Sequence, residues 1–478
     1  MGRRTTVRDA LIILLLSFSA VLLHGYHFGV QDHFHYLPVV RHSLDPNLYP
    51  HDARFFLPYA RYMIFDELVV GSIRLSRLPI DWAFFLWHIF SIYLYLLGCW
   101  VVAQRLFART AARWAAVILV AVLLILVAAG TLLHLADVYL VPRTLATACL
   151  LFALAAVLDR RPRAVAWLMF SFLVHPTMTL AGAFHLWFIA GTGASVAAAT
   201  LLPVFSGAVS DAWLQVLRLR RFIFPLRWPW IAWVAAFAPL GCLWWFRRLG
   251  QRHGLAVVAE LSRRLLLSGS LGIALGTLVT VIPGLERAAA AEPMRVLHFL
   301  YLLTVLVGGG FLGELVLKRH WLRWTALLLP LCISVFFAQR MLYPSSPHIE
   351  WPGRVANNDW VRAFDWVRKN TPPDALFALD PHYTSGTRQD THSFRALAAR
   401  SQLADYRNDR MSAAIWPDLA PVWLEQMRDL ENWPQFGLED FHRLKEKYGV
   451  SWVILEQPDG QGLDCPYAND TVAVCRVP

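Results

Sequence analysis

The sequence predicts an α-helical polytopic membrane protein with a small α/β domain at its C-terminal end, and three observations predict it. Of the 478 residues, 57% are hydrophobic and 16% charged, far more apolar than a water-soluble chain of this length. The apolar residues gather in blocks near twenty, about what a helix rising ~1.5 Å per residue needs to cover a hydrocarbon core of ~30 Å. Beyond Asn358 the pattern changes to amphipathic helices and brief apolar runs.

Arg3, Arg4 and Arg8 precede the apolar run Ala10 to Leu23. It reads as an uncleaved first helix rather than a signal peptide, because no small-x-small cleavage site follows it. Further spans are predicted near 80–103, 114–133, 144–158, 164–190, 229–246, 265–283, 295–316 and 324–342, about nine in all. Short-loop arginines set the orientation. Arg3/Arg4/Arg8, Arg105/Arg109/Arg113, Arg160/Arg161/Arg163, Arg247/Arg248/Arg252 with Arg263/Arg264, and Lys318/Arg319/Arg323 fall on one side. That side is read as the cytoplasm of a bacterial inner membrane, with the N-terminus in it. An odd number of spans then separates a membrane domain, 1–343, with a long first external loop at 24–78, from an external domain, 344–478. One cluster breaks the rule: Arg218, Arg220, Arg221 and Arg227 lie on the outer side. Either 191–228 holds a further pair of membrane segments, or these arginines are kept outside to meet an anionic group.

The formal charge of +11 is dispersed in these loops rather than gathered on one basic face, which argues against nucleic acid as a partner. Cys99, Cys149, Cys242 and Cys332 fall within apolar blocks and read as small hydrophobes. Cys465 and Cys475 are alone in the polar tail, ten residues apart, and suit a disulfide across a hairpin in an oxidising compartment. The tail itself predicts helices at about 358–369, 418–431 and 438–448, with strands at 376–379, 450–455 and 471–477. It carries no phosphate loop, nucleophile elbow or zinc spacing.

The residues able to carry chemistry are concentrated at the outer ends of the spans. The first loop begins Gln31-Asp32-His33-Phe34-His35-Tyr36. A partly dehydrated carboxylate such as Asp32 can act as a general base or hold a divalent ion, with His33 and His35 to orient it. The alternative is that Asp32 caps a short interfacial helix while the aromatics form a belt. Asp52 is the best second carboxylate, although an N-cap role explains it as well, and Asp66-Glu67 reads as a solvated helix face. Arg143, after Pro142, and Arg295 with His298 one turn later open spans from the outside. Such arginines either snorkel to headgroups or hold a lipid phosphate in guanidinium's fork geometry. His175-Pro176 breaks an apolar segment and offers a histidine that could line a cavity. Arg395 and Arg400 in the tail are read either as surface arginines or as groups beneath the membrane domain.

This arrangement resembles the GT-C superfamily, the multi-spanning glycosyltransferases that use polyprenyl-phosphate-linked sugars. The likeness rests on the cytoplasmic N-terminus, the acidic residue just after the first span, the many spans and the external α/β domain. The stretches His35 to Asp52, Leu173 to Leu180, Pro293 to Glu314 and Trp360 to Leu379 look like those of uncharacterised bacterial membrane proteins near that superfamily. The resemblance implies a polyprenyl-phosphate-sugar donor, Asp32 as base or as ligand of a divalent cation (Mg or Mn), and Arg143 and Arg295 on the lipid phosphate. Two other classes remain open: a transporter or lipid-handling protein with His134, Asp137 and His175 along a pathway, and a non-catalytic scaffold that displays the tail.

Overall fold

The computed structural model describes residues 5–191, 209–385, 389–456 and 462–478. The chain is mostly helical and divides into two compact units. The first comprises Met1–His24, Leu86–Val209 and Arg218–Ala338; the second comprises Gly25–Phe85, Ser210–Leu217 and Gln339–Pro478. The sequence grouped the first long loop with the spans. In the structure that loop is part of the same unit as the tail.

Among the described residues four helices are long and apolar enough to cross a membrane: Val7–His24, Ile80–Leu106, Pro293–Leu317 and Trp321–Leu342. The other predicted segments are helical but shorter or more charged. Thr110–Val122, Pro142–Leu158 and Arg163–Val174 are short apolar helices, whereas Trp230–Arg252 and Ala256–Val279 have the length but carry arginines. The segment expected at 114–133 stops at Val122, and Val127–Ala128 then pairs antiparallel with Leu133–His134. The turn between them uses Gly130 at φ 71°, where a Cβ would collide with the Trp228 ring. The segment expected at 164–190 is two helices that meet at His175-Pro176, as the proline's missing N–H and ring demand.

The core of the first unit is one apolar cluster that includes Cys99, Leu150, Leu265, Leu303 and Val307. A close helix approach is made by Gly309 and Gly313, where an added Cβ would lie 2.7 Å from the Ala115 carbonyl and 2.6 Å from that of Ala111. A small-xxx-small pair lets the Val296–Phe311 helix and its π-helical continuation, Leu312–Leu317, lie directly on Thr110–Val122.

The second unit is built on a five-stranded sheet in the order Ser401–Gln402, Leu376–Leu379, Trp452–Leu455, Ala473–Arg476, Asp464–Ala468. The first three strands are parallel and the last two antiparallel. Leu376–Leu379 and Trp452–Leu455 are buried along their whole length, because alternate residues enter two different cores. Leu376, Ala378, Val453 and Leu455 pack with Phe441 and Leu444 of the Leu438–Tyr448 helix. Phe377, Leu379, Trp452 and Ile454 pack with Phe364 and Val367 of the Asp359–Asn370 helix. That helix starts where Asn358 accepts from the N–H groups of Trp360 and Val361. Cys465 and Cys475 are disulfide-bonded across the last two strands. The three predicted tail strands and three predicted helices are all found; Ser401–Gln402 and Asp464–Ala468 were too short or too polar to be read.

Candidate functional site

In the first unit, buried charge collects where helices begin. Glu292 stands just before the turn Pro293–Arg295 that opens the Val296–Phe311 helix, in a left-handed conformation (φ 58°, ψ 63°) that costs a non-glycine residue energy. Its carboxylate serves two arginines. Oε2 accepts from Arg295 Nε at 2.8 Å and Nη2 at 2.7 Å, and Oε1 accepts from Arg220 Nη2. Arg220 is 2% exposed, and its guanidinium lies 4.9 Å from the Phe222 ring. Two guanidinium groups therefore share one carboxylate. Arg220 Nε, Arg220 Nη1 and Arg295 Nη1 are buried N–H donors that have no hydrogen-bond acceptor among the described residues. Burial would raise the Glu292 acid, but Arg295 and Arg220 outweigh it and hold the group ionised.

A second pair stands at the start of the Pro142–Leu158 helix. Arg143 occupies the first turn, where the helix dipole disfavours a cation. Asp137 offsets this by accepting from Arg143 Nε at 2.7 Å, and His134 Nδ1 lies 3.3 Å from its other oxygen. Burial pushes the Asp137 acid up, and Arg143 and His134 more than reverse that push. His298 Nε2 donates to the His134 carbonyl at 2.9 Å, leaving its buried Nδ1 without a partner among the described residues. His175 caps the Pro176–Ala190 helix by accepting from the Met178 N–H, and lies within Coulombic reach of Arg295, Arg143 and His298. Four of the five predicted substrate-binding residues, Arg143, His175, Arg295 and His298, thus share one neighbourhood.

Sequence reasoning had not assigned Arg220 or Glu292 to a site. The signal for Arg220 was present as the arginine cluster that broke the orientation rule. Of the region 191–228, residues 192–208 lie outside the described residues. The rest holds the amphipathic helix Asp211–Arg218 and two short turns.

The remaining predicted residues belong to the second unit. Asp32 is half-buried at the start of the His33–Leu44 helix, and its side chain makes no capping hydrogen bond. His33 is buried; its Nδ1 accepts from the Gly29 N–H at 2.9 Å and its ring meets Phe28 and Phe84 edge-on. His35 is buried between the Phe34 and Tyr59 rings, centroids 3.6 and 4.0 Å away. These contacts give both histidines packing roles.

Asp52 and Arg395, expected as second carboxylate and substrate ligand, are bound to each other. Arg395 Nε donates to Asp52 Oδ2, while its Nη1 and Nη2 grip Asp409 at 2.8 and 3.0 Å. Asp52 Oδ2 also accepts from the Gln402 N–H at 3.0 Å. Burial and the neighbouring Asp405 carboxylate push the Asp409 acid up against the pull of Arg395. Such a buried network fastens the loop to the tail's sheet within this unit, and removing one member leaves uncompensated charge worth about 3–5 kcal/mol. Arg400 is similarly engaged, donating to the carbonyls of Thr371 and Arg368.

Asp32 has no second acid beside it in a metal-binding arrangement: among the described residues no group of three or more His, Cys, Asp or Glu side chains is placed to hold an ion. Among the described residues the donor set does not fit a divalent cation.

Comparison with known proteins adds one match, the family described as "Domain of unknown function (DUF6798)", over residues 358–429. This stretch runs from the Asn358 cap past the first strand and Arg395 to the end of the Ala420–Asp429 helix. No curated protein matches the chain.

Proposed function

We propose that the chain is a bacterial inner-membrane protein of about nine spans that binds the phosphate of a polyprenyl-phosphate-linked sugar at the external membrane face and transfers the sugar to an acceptor. One observation carries the reading: Arg220 and Arg295 share the single carboxylate of Glu292 and keep three buried donors without an acceptor among the described residues. Desolvated guanidinium N–H groups without acceptors are expensive, and a phosphate oxygen is the acceptor their geometry suits best. The apolar helices support a lipid-borne phosphate over a soluble one. In this assignment Asp32, half-buried at the start of the His33–Leu44 helix, is the base that activates the acceptor hydroxyl. His33 and His35 hold its helix in place, and Arg143, His175 and His298 complete the polar surroundings of the phosphate.

The test is binding and turnover of detergent-purified protein over a panel of polyprenyl-phosphate sugars, comparing wild type with Arg295→Ala and Asp32→Asn. Arg295→Ala should weaken donor binding at least tenfold, while Asp32→Asn should spare binding and lower turnover by ~100-fold or more, the scale of a lost general base. Unchanged turnover in Asp32→Asn removes the base assignment. Failure of the whole panel to bind favours the transport and scaffold readings.

A further inference from the structure

The second unit contains a cavity of about 400 Å³ that none of the roles above uses. Its lining mixes three kinds of group. Arg41, from the His33–Leu44 helix, donates through Nε to the Ala396 carbonyl at 2.9 Å, and among the described residues nothing accepts from its two Nη groups. Arg354 adds a second guanidinium, exposed and without an ion pair among the described residues. Asp81 and Glu350 supply acceptor oxygens. Asp81 Oδ2 takes the Gly353 N–H at 2.5 Å, which fixes the Trp351-Pro352-Gly353 turn beside it. Glu350 Oε1 is held by His27 Nδ1 at 3.2 Å and His392 Nε2 at 2.9 Å, and its Oε2 accepts from the Phe28 N–H at 2.8 Å, which leaves a second lone pair there for a ligand hydroxyl. Trp351, 48% exposed, and Phe28 supply aromatic faces.

We infer that this cavity is a binding site for an anionic saccharide, a sugar bearing a carboxylate or a phosphate. Each class of lining group has a task with such a ligand and at least one idle with simpler ones. The Arg41 fork takes the anion in a charge-assisted pair. Carboxylate oxygens, which only accept, take ring hydroxyls. The Trp351 face takes the apolar C–H face of the ring, as pockets commonly combine apolar walls with a few convergent polar groups. Inorganic phosphate would leave the aromatic faces unused and bring its own negative charge against Asp81 and Glu350. A neutral sugar would leave Arg41 unpaired. The site lies wholly in the second unit and does not depend on the lipid-phosphate reading.

Calorimetric titration of the full-length, detergent-purified protein with glucuronate, glucose 1-phosphate, glucose and inorganic phosphate tests it. At least one of the two anionic sugars should bind ten times or more tighter than both glucose and phosphate, and which of them binds identifies the anion. Arg41→Gln should remove that preference, and Trp351→Ala should weaken binding severalfold for sugar but not for phosphate. Arg41 also holds the Ala396 carbonyl, so Arg354→Gln, at an exposed position, is the second variant and should weaken the anionic sugar two- to fivefold. Equal affinity for glucose and its anionic relatives, phosphate binding as tight as the sugars, or indifference to both Trp351→Ala and Arg354→Gln would overturn the assignment.

Discussion

Both carboxylate oxygens of Asp66 are buried and have no hydrogen-bond partner among the described residues. Burial first, and the adjacent Glu67 second, push this acid up to about 8. The sequence placed Asp66-Glu67 on a solvated face; the structure puts Glu67 outside and turns Asp66 inward on the Phe65–Ser76 helix. Because the folded pKa lies above the unfolded one, the native state holds a proton that the unfolded chain has released between roughly pH 4 and 8, so stability falls with rising pH across that window. Asp66→Asn, which cannot ionise, should therefore gain on the wild type by up to about 1.4 kcal/mol per pH unit there. Melting temperatures at pH 5 and pH 8 measure it, and a wild-type-to-variant difference that stays constant with pH would refute it. Around Glu292 the residues differed in legibility. Arg295 and His298 were readable because they stand one turn apart at a helix start. Arg220 was visible only as an exception to a charge rule. Glu292 could not be read as the hub, since that role depends on an arginine 72 positions away.

At the scale of elements, local punctuation was the reliable signal. Pro372-Pro373-Asp374 announced the strand Leu376–Leu379, and His175-Pro176 announced a break that the structure makes complete. The hairpin after Val122 was illegible because its residues are as apolar as the helix before them. Burial of both sheet faces likewise hid any period-two pattern in the tail. The Cys465–Cys475 bond closes the Asp464–Ala468 and Ala473–Arg476 hairpin. A loop of this length should contribute about 2–3 kcal/mol by restricting the unfolded chain. Cys465→Ser with Cys475→Ser should accordingly lower the melting temperature of the second unit by several degrees, read by its near-ultraviolet signal; an unchanged melt would mean that strand pairing alone holds the hairpin.

For the whole molecule, the chain contributes three separate segments to each unit, and this interleaving could not be seen in a reading that follows composition along the sequence. Composition finds where apolar blocks begin and end. It does not find which loop shares a core with which strand, because those contacts join residues more than 300 positions apart, as Arg395 and Asp52 show. The proposed function predicts that the buried arginines of the first unit hold a lipid phosphate. The most direct measurement is the affinity of the purified protein for a polyprenyl phosphate against the same polyprenol lacking phosphate, in wild type and Arg220→Gln. Charge-assisted hydrogen bonds of roughly 1.5–3 kcal/mol each predict a wild-type preference for the phosphate of tenfold or more that Arg220→Gln abolishes. Equal affinity for the two lipids, or a preference that survives Arg220→Gln intact, would contradict it.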